Sequence, residues 1–332
     1  MRCIMLSRTD LINDKELAID KAYGALSGLA IGDSFGDAAR SPENQFKYGV
    51  TTDFNEGASW STDDTEFGLL TAKILIETEG NPTTEDVVKA WLEDVAGQDD
   101  FPRGGGSEIE GVRNVKRGIM PPFSGQYNAY SHSDGSAMRI TPVGIICAGD
   151  VAAAARIAET DACISHYREG IWGAQAVAAA VSTAMVNGSI DEIISDAISV
   201  IPKDSWLHYT MTRVLEIIEE NDGDALNSWM PIHNELWTSY KASVPEAVAS
   251  AFAVIKLFGG DFKTGVIAAG NFGRDADTIG AIVGAILGAK YGAKTIPAKW
   301  LEKTRYPSGT CLAFAKGLDI KEISEQLALL IR

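Results

Sequence analysis

The chain has 332 residues, a formal net charge of −16 and an isoelectric point near 4.7, with 45% hydrophobic and 22% charged residues. This is an ordinary globular composition, with enough apolar residues for a sizeable core. The acidic balance argues against a protein that binds a phosphate backbone through a basic face, so we expect no nucleic-acid partner.

Residues 1–20 contain several charged side chains and no long apolar run, which is not typical of a secretory signal. We interpret them as a leader or an extra helix, and residues 21–332 as a single domain, because no repeat or Pro/Ser-rich linker divides the chain. The four cysteines are widely separated and form no C-x-x-C pair, so they indicate neither a zinc site nor a disulfide framework. Reduced thiols favour a cytoplasmic protein.

Apolar residues at helical spacing, or many alanines, predict helices along most of the chain. The predicted runs are 22–31, 67–77, 84–95, 142–158, 171–186, 190–200, 211–220, 245–258 and 262–269. Strand-like alternation is scarce, and its best candidate is the loop-rich stretch 45–54. The sequence therefore predicts an all-α domain with long functional loops.

The stretch 278–289 predicts a buried central helix. It is uncharged and carries Gly280, Gly284 and Gly288 on one face, where another helix would approach closely. It is too short to span a bilayer, which needs about 20 apolar residues, so we expect no membrane partner.

Two acidic segments each stand at the start of a predicted helix. They offer four carboxylates and two hydroxyls, from Thr62, Asp63, Asp64, Asp275, Asp277 and Thr278. One interpretation is a pair of capped, solvated helix starts. The alternative is a shared metal site, because carboxylates this close repel each other unless a cation or strong donors lie between them. With no His or Cys nearby, one or two Mg²⁺ or Mn²⁺ ions are favoured over zinc.

Glycine and serine loops precede two further predicted helices. The residues concerned are Gly104, Gly105, Gly106 and Ser107 in the first loop, and Gly135 and Ser136, before Met138, in the second. Backbone amides at a helix start suit phosphate oxygens. A flexible turn is the alternative for each loop taken alone.

The order of these segments resembles the ADP-ribosylglycohydrolases over nearly the whole chain after the leader. Residues 24–36 are similar to the family's G-x-x-x-G-x-x-x-G-D-x-x-G segment, 60–65 to its W-T-D-D-T box, and 273–278 to its G-x-D-x-D-T box. Between them, residues 103–107 look like a glycine loop, 133–142 resemble N-G-S-x-M-R-x-x-P, and 165–166 resemble a T-H pair. Each box is weak alone, but their order and spacing are specific.

The resemblance implies a compact, orthogonal multi-helix fold with a centre of two Mg²⁺ or Mn²⁺ ions. It implies that the six residues of the acidic segments ligate the metals, and that Asp63 and Asp277 also take part in catalysis. The implied reaction is hydrolysis of the N- or O-glycosidic bond of an ADP-ribosylated protein side chain or a small ADP-ribosyl or ribosyl compound. Both glycine loops, with Asp134, Met138 and Arg40, would contact this substrate.

Two residues depart from the family pattern. Arg40 stands where members usually carry a glutamate, and an arginine cannot act as a general base at ordinary pH. We expect Asp37 to take that catalytic role, with Glu43 or activation of water by the metals alone as alternatives. Arg40 would then either face the site or pair with a surface acid such as Glu43. Asp134 replaces the usual asparagine and adds negative charge beside a phosphate loop.

Two alternatives to a hydrolase follow from these departures. One is a protein that binds metal and ADP-ribose with little turnover, because Arg40 replaces the glutamate. The other is a structural relative, as in lens proteins of this ancestry. All six expected ligands are present, which counts against a purely structural role.

Overall fold

The structure is a computed structural model that describes residues 6–38, 40–54, 61–98, 101 and 103–332. Within these ranges the chain forms helices and turns and no β-strand, and one isolated antiparallel bridge joins Ser133 and Ser243. The prediction of an all-α fold is confirmed.

Nineteen α-helices lie in this described part of the chain. The first nine are α1 (Arg8–Asn13), α2 (Lys15–Asp37), α3 (Pro42–Tyr48), α4 (Asp63–Glu77), α5 (Thr84–Ala90), α6 (Gly106–Lys116), α7 (Phe123–Gln126), α8 (Gly135–Arg139) and α9 (Thr141–Ile146). The others are α10 (Val151–Ala162), α11 (Glu169–Met185), α12 (Ile190–Ser199), α13 (Trp206–Glu220), α14 (Ala225–Leu236), α15 (Val244–Phe258), α16 (Phe262–Gly270), α17 (Ala276–Tyr291), α18 (Ala298–Thr304) and α19 (Ile320–Ala328). A π-helical turn (Trp91–Val95) extends α5, and short 3₁₀ turns span Ala293–Thr295 and Ala313–Ala315.

Helices α2 and α17 cross the centre of the fold in antiparallel directions. A Cβ atom added to Gly28 would lie 2.0 Å from the carbonyl oxygen of Gly284, and one added to Gly32 would lie 1.8 Å from that of Gly280. No side chain fits at such distances, so the helix backbones touch. The predicted close approach of a second helix to the glycine face of α17 is confirmed, and that second helix is α2.

The antiparallel arrangement places the end of α2 beside the start of α17. Gly36 lies against Ala276 at this end, whereas Gly24 lies against Gly288 at the other. Helices α4 and α9 pack on α2, and α11, α15 and α16 pack on α17. The central pair is therefore enclosed, and the polar groups at its end are held on a buried platform.

Two predictions about secondary structure are wrong. The run 142–158 is not one helix, because α9 ends at Ile146, Gly149 turns the chain at φ +71°, and Asp150 caps α10 by accepting from the Ala153 amide at 2.9 Å. The strand candidate 45–54 instead starts within α3, where the Ser41 side chain caps the helix and Pro42 occupies its first turn.

The predicted leader, residues 1–20, contains α1 and the first residues of α2, and its boundary falls inside α2. Leu11 and Ala18 are buried in the core. Cys147, Cys163 and Cys311 are buried free thiols, and Cys3 lies outside the described residues. Among the helices described, none is both long enough and apolar enough to cross a membrane.

Candidate active site

The two acidic segments meet in one narrow cavity of about 40 Å³ beside the central helix pair. Asp63 and Asp64 come from the start of α4, and Asp275 and Thr278 come from the start of α17. Because a single water needs a cavity of at least about 10–15 Å³, this space suits ions or a few waters and is too small for an organic ligand.

Asp33 of α2 positions the first segment. Its carboxylate accepts from the Thr62 amide at 2.9 Å and the Thr62 hydroxyl at 2.6 Å, and also from the Thr65 amide and hydroxyl. Thr62 therefore stands at the N-cap position of α4 without capping it through its side chain. Asp33 fastens the start of α4 to α2, which leaves Asp63 and Asp64 to face the cavity.

The second segment is likewise not an ordinary helix cap. Asp275 occupies the N-cap position of α17, but its side chain makes no capping hydrogen bond. The Arg40 guanidinium contacts the Asp277 carboxylate and lies 3.6 Å from Asp275, and the Lys241 ammonium lies 3.2 Å from Asp275. The interpretation of Arg40 as a partner of Glu43 is therefore wrong, because Glu43 is exposed on α3 and Arg40 faces the cavity.

Burial and mutual repulsion perturb these acids. Burial, followed by repulsion from Asp275, raises the pKa of Asp277 to about 7 despite the opposing charge of Arg40. Burial raises the pKa of Asp63 and of Asp64 well above 3.8, with added repulsion from Asp277 in both cases. The two segments therefore act electrostatically as one group of charges.

Asp134 belongs to the same group. It is buried, and burial followed by repulsion from Asp275 and Asp64 raises its pKa well above 3.8. The aspartate at this position is therefore part of the buried acidic group and not of a solvated loop.

Several carboxylate oxygens in this group lack a hydrogen-bond donor. Six buried side-chain N or O atoms accept or donate no hydrogen bond in the described part of the chain, and four of them are Oδ1 of Asp64, Oδ2 of Asp134, Oδ1 of Asp275 and Oδ1 of Asp277. Of these four, the Asp275 oxygen still has an ion-pair partner, because the Lys241 ammonium lies 3.2 Å from it. Buried polar atoms are seldom left unpaired, because each costs about 1–3 kcal/mol, and more if charged. Such oxygens suit a hard cation.

The described residues nevertheless do not form a finished metal site. No three His, Cys, Asp or Glu side chains among them converge closely enough to hold an ion as they stand. Arg40 accounts for part of this, since it lies against both Asp275 and Asp277. The chemistry of the donors fits Mg²⁺ or Mn²⁺, and their present arrangement would have to close around the ion.

The two glycine loops lie on the other side of the cavity, around Glu108. A Cβ atom on Gly105 would lie 2.4 Å from Oε2 of Glu108, and one on Gly135 would lie 2.2 Å from its Oε1. Glu108 in turn pairs with the buried Arg139 at 3.0 Å and accepts from Ser107 at 2.6 Å. A side chain at either glycine would have to displace the Glu108 carboxylate from its ion pair with Arg139.

Some residues predicted for the substrate and metal lie outside the lining of this cavity. Gly104 and Asp37 line a neighbouring cavity of about 460 Å³, together with Arg40 and Arg103. Arg103 forms an ion pair with Asp37. The remaining residues that line neither cavity are Thr62, Gly106, Ser136 and Asp277. Arg40 lines both cavities and so separates the acids from the larger space.

Four residues that shape the site were not predicted from the sequence, namely Asp33, Glu108, Arg103 and Lys241. Asp33 was detectable, because an acid within an otherwise apolar helical run needs a partner. Glu108 follows a glycine loop directly, which is a weaker signal. Nothing in the pattern around Arg103 or Lys241 distinguishes them from surface cations.

Two other cavities do not involve these acids. A cavity of about 690 Å³ lies between α12, α13 and α15, and one of about 530 Å³ lies beside α5. Both are larger than the acidic cavity and are lined mainly by aliphatic side chains and surface charges. Neither gathers buried unpartnered carboxylates.

Comparison with known proteins gives consistent results. The family model for ADP-ribosylglycohydrolases matches residues 14–332. An uncharacterized protein of Archaeoglobus fulgidus is 30% identical over 323 residues, which cover 93% of this chain and 95% of the relative. A solved structure described as an ADP-ribosylglycohydrolase-related protein complex superposes with a TM-score of 0.63 at 21% identity, covering 95% of this chain and 98% of the other. This last likeness concerns the fold alone.

Proposed function

The chain belongs to the ADP-ribosylglycohydrolase family, and we propose that it is a divalent-metal-dependent hydrolase. Its substrate would be an ADP-ribosylated protein side chain or a small ADP-ribosyl or ribosyl compound, cleaved at the N- or O-glycosidic bond. The observation that carries the proposal is the meeting of Asp63, Asp64 and Asp275 around one cavity, with Asp277 buried against Arg40 at its edge and with buried carboxylate oxygens that lack hydrogen-bond donors.

The acids of both segments would hold one or two Mg²⁺ or Mn²⁺ ions. The residues concerned are Thr62, Asp63, Asp64, Asp275, Asp277 and Thr278. When bound, the ions would supply positive charge that orients and polarises the ribose hydroxyls. Their charge would also offset the repulsion that raises the pKa values of Asp63, Asp64 and Asp277.

The 460 Å³ cavity would take the organic part of the substrate. Its volume lies within the usual range for small-ligand sites, about 300–1,000 Å³, whereas the acidic cavity is far smaller. The cationic Arg103 and Arg40 and the glycine loop that begins at Gly104 are suited to an anionic diphosphate. The scissile bond would then lie where the two cavities meet, near Arg40.

Asp37 would be the proton acceptor on the side of the larger cavity. It is buried beside Arg103, which holds its carboxylate in one orientation. Glycosidases stabilise an oxocarbenium-like transition state with nearby carboxylates and use a second group for proton transfer. Asp63 and Asp277 would supply negative charge near the sugar. Asp37 would take a proton from the attacking water, whose oxygen bonds to the ribose carbon as the glycosidic bond breaks, and the proton would then pass to the departing nitrogen or oxygen.

The test is a screen of ADP-ribosylated arginine and serine peptides, and of small ribosides, for release of the sugar product by chromatography. Each substrate is tested with Mg²⁺, Mn²⁺ or EDTA. We expect cleavage with metal, none with EDTA, and a large loss in Asp63→Asn but not in Asp204→Asn, which changes an exposed aspartate elsewhere. Equal rates in EDTA would refute the metal dependence. If calorimetry shows binding of ADP-ribose but no substrate is cleaved, the alternative is favoured, namely a protein that binds metal and ADP-ribose with little turnover.

A further inference from the structure

Arg40 holds the Asp275–Asp277 side of the acidic cavity in the way that a bound cation would. Its guanidinium contacts Asp277 and lies 3.6 Å from Asp275, and it reaches them from the segment that follows α2. Its side chain is 31% exposed, whereas those of Asp275 and Asp277 are 3% and 1% exposed. A charge of the protein itself therefore lies between the aspartates and the solvent.

The two acidic segments differ in this respect. Asp275 and Asp277 have ion-pair partners in Arg40 and Lys241, while Asp63 and Asp64 form no ion pair with any described residue. The guanidinium is always protonated at ordinary pH and presents a rigid fork of donors that matches carboxylates. Its tether to α2 also keeps it permanently close, so an ion from solution must compete with it for Asp275 and Asp277.

Resting on the proposed function, we propose that Arg40 occupies one of the cation positions of this cavity, so that the chain binds fewer divalent ions with Arg40 than without it. The position that stays open faces Asp63, Asp64 and Asp134, where Oδ1 of Asp64 and Oδ2 of Asp134 lack donors. The site that the family resemblance would fill with two metals then carries one metal and one arginine.

The experiment counts bound Mn²⁺ per chain by equilibrium dialysis, with no substrate present, for the wild type and Arg40→Gln. We expect the wild type to bind one ion per chain and Arg40→Gln to bind two. Arg40→Lys keeps a charge at the same place and is expected to give the wild-type number. Circular dichroism and thermal melts establish that each variant is folded.

Arg103→Gln is the matched control, because it removes one positive charge from the adjoining cavity but touches neither Asp275 nor Asp277. If only the loss of a positive charge matters, both variants should change the affinity for Mn²⁺. If Arg40 occupies a cation position, only Arg40→Gln should change the number of Mn²⁺ ions bound per chain. An unchanged count in Arg40→Gln, or the same increase in Arg103→Gln, overturns the inference. Since no turnover is measured, failure to find a cleavable substrate leaves this result intact.

Discussion

Along most of their contact, α2 and α17 bring glycine backbones together, and nothing larger than hydrogen fits between Gly28 and Gly284 or between Gly32 and Gly280. At the end where α2 stops and α17 begins, the same two helices present Asp33, Asp275 and Asp277, whose charges are buried. One region is close-packed and apolar, whereas the other combines repelling carboxylates with atoms that lack hydrogen-bond partners.

The difference shows how the fold tolerates the acids. Buried charges without partners destabilise a protein, and they persist only where other interactions outweigh them. Here the glycine contact continues directly into the acidic end, so the backbone that carries Asp277 is held by packing on α2. The glycine region therefore stabilises the fold, and the acidic region is expected to serve function at the expense of stability.

The largest effect, a loss of stability, is expected when a side chain is introduced into the glycine contact between α2 and α17. Gly32→Ala would place a Cβ atom 1.8 Å from the Gly280 carbonyl oxygen, and only a shift of the helix backbones would relieve this clash. We expect a loss of about 3 kcal/mol or more in the free energy of unfolding, measured by urea denaturation. Gly260→Ala is the control, because no atom lies within 4 Å of the added Cβ. Equal stability of the two variants would show that the helices can separate without cost.

A substitution in the acidic end should lower activity without lowering stability. Asp64→Asn keeps the shape of the side chain but removes one of the repelling charges and supplies an amide donor. We expect turnover on a substrate established for the wild type to fall by about 100-fold or more, since even indirect contacts to a metal cost about 10–100-fold. The melting temperature without added metal should be equal or higher. A lower melting temperature would mean that Asp64 stabilises the fold.

The smallest effect is expected from Asp134→Asn and appears in the pH dependence of stability. Burial raises the pKa of Asp134 in the folded chain above its ordinary value of 3.8, so the folded state binds more protons than the unfolded state once the pH exceeds about 4. Metal-free wild type should therefore lose stability as the pH rises from 4 towards the raised pKa. Asp134→Asn should reduce this slope and melt a few degrees higher at pH 8, as measured by scanning calorimetry. An unchanged slope would contradict the raised pKa.

The helices were predictable where apolar spacing was sustained and caps were local. The start of α12 is an example, because Ser189 and Glu192 form a capping box that the sequence specifies by itself. The run 142–158 was mispredicted because alanines and aliphatic residues continue on both sides of Gly149, and the turn there depends on a contact of Gly149 and Asp150 with Ser182. A local pattern does not contain that contact.

The acids illustrate the same limit at the site. Asp63, Asp64 and Glu66 lie in one turn and look alike in the sequence. Asp63 and Asp64 line the acidic cavity, but Glu66 accepts from the amides of Thr310, Cys311 and Leu312 and so fastens the C-terminal segment to α4. Only the approach of residues distant in the chain separates a structural carboxylate from those of the cavity.

The sequence by itself determined the all-α class, the close helix contact at the glycine face and the oxygen-rich character of the two acidic segments, because these follow from local spacing and side-chain chemistry. The tertiary structure decided that the segments share one cavity, that Asp33 binds Thr62 and that Arg40 turns towards Asp277 instead of Glu43. The shared cavity and the Arg40–Asp277 contact depend on the antiparallel crossing of α2 and α17, which brings residues more than two hundred positions apart into contact and buries their charges together. The Asp33–Thr62 contact depends instead on the packing of α4 on α2.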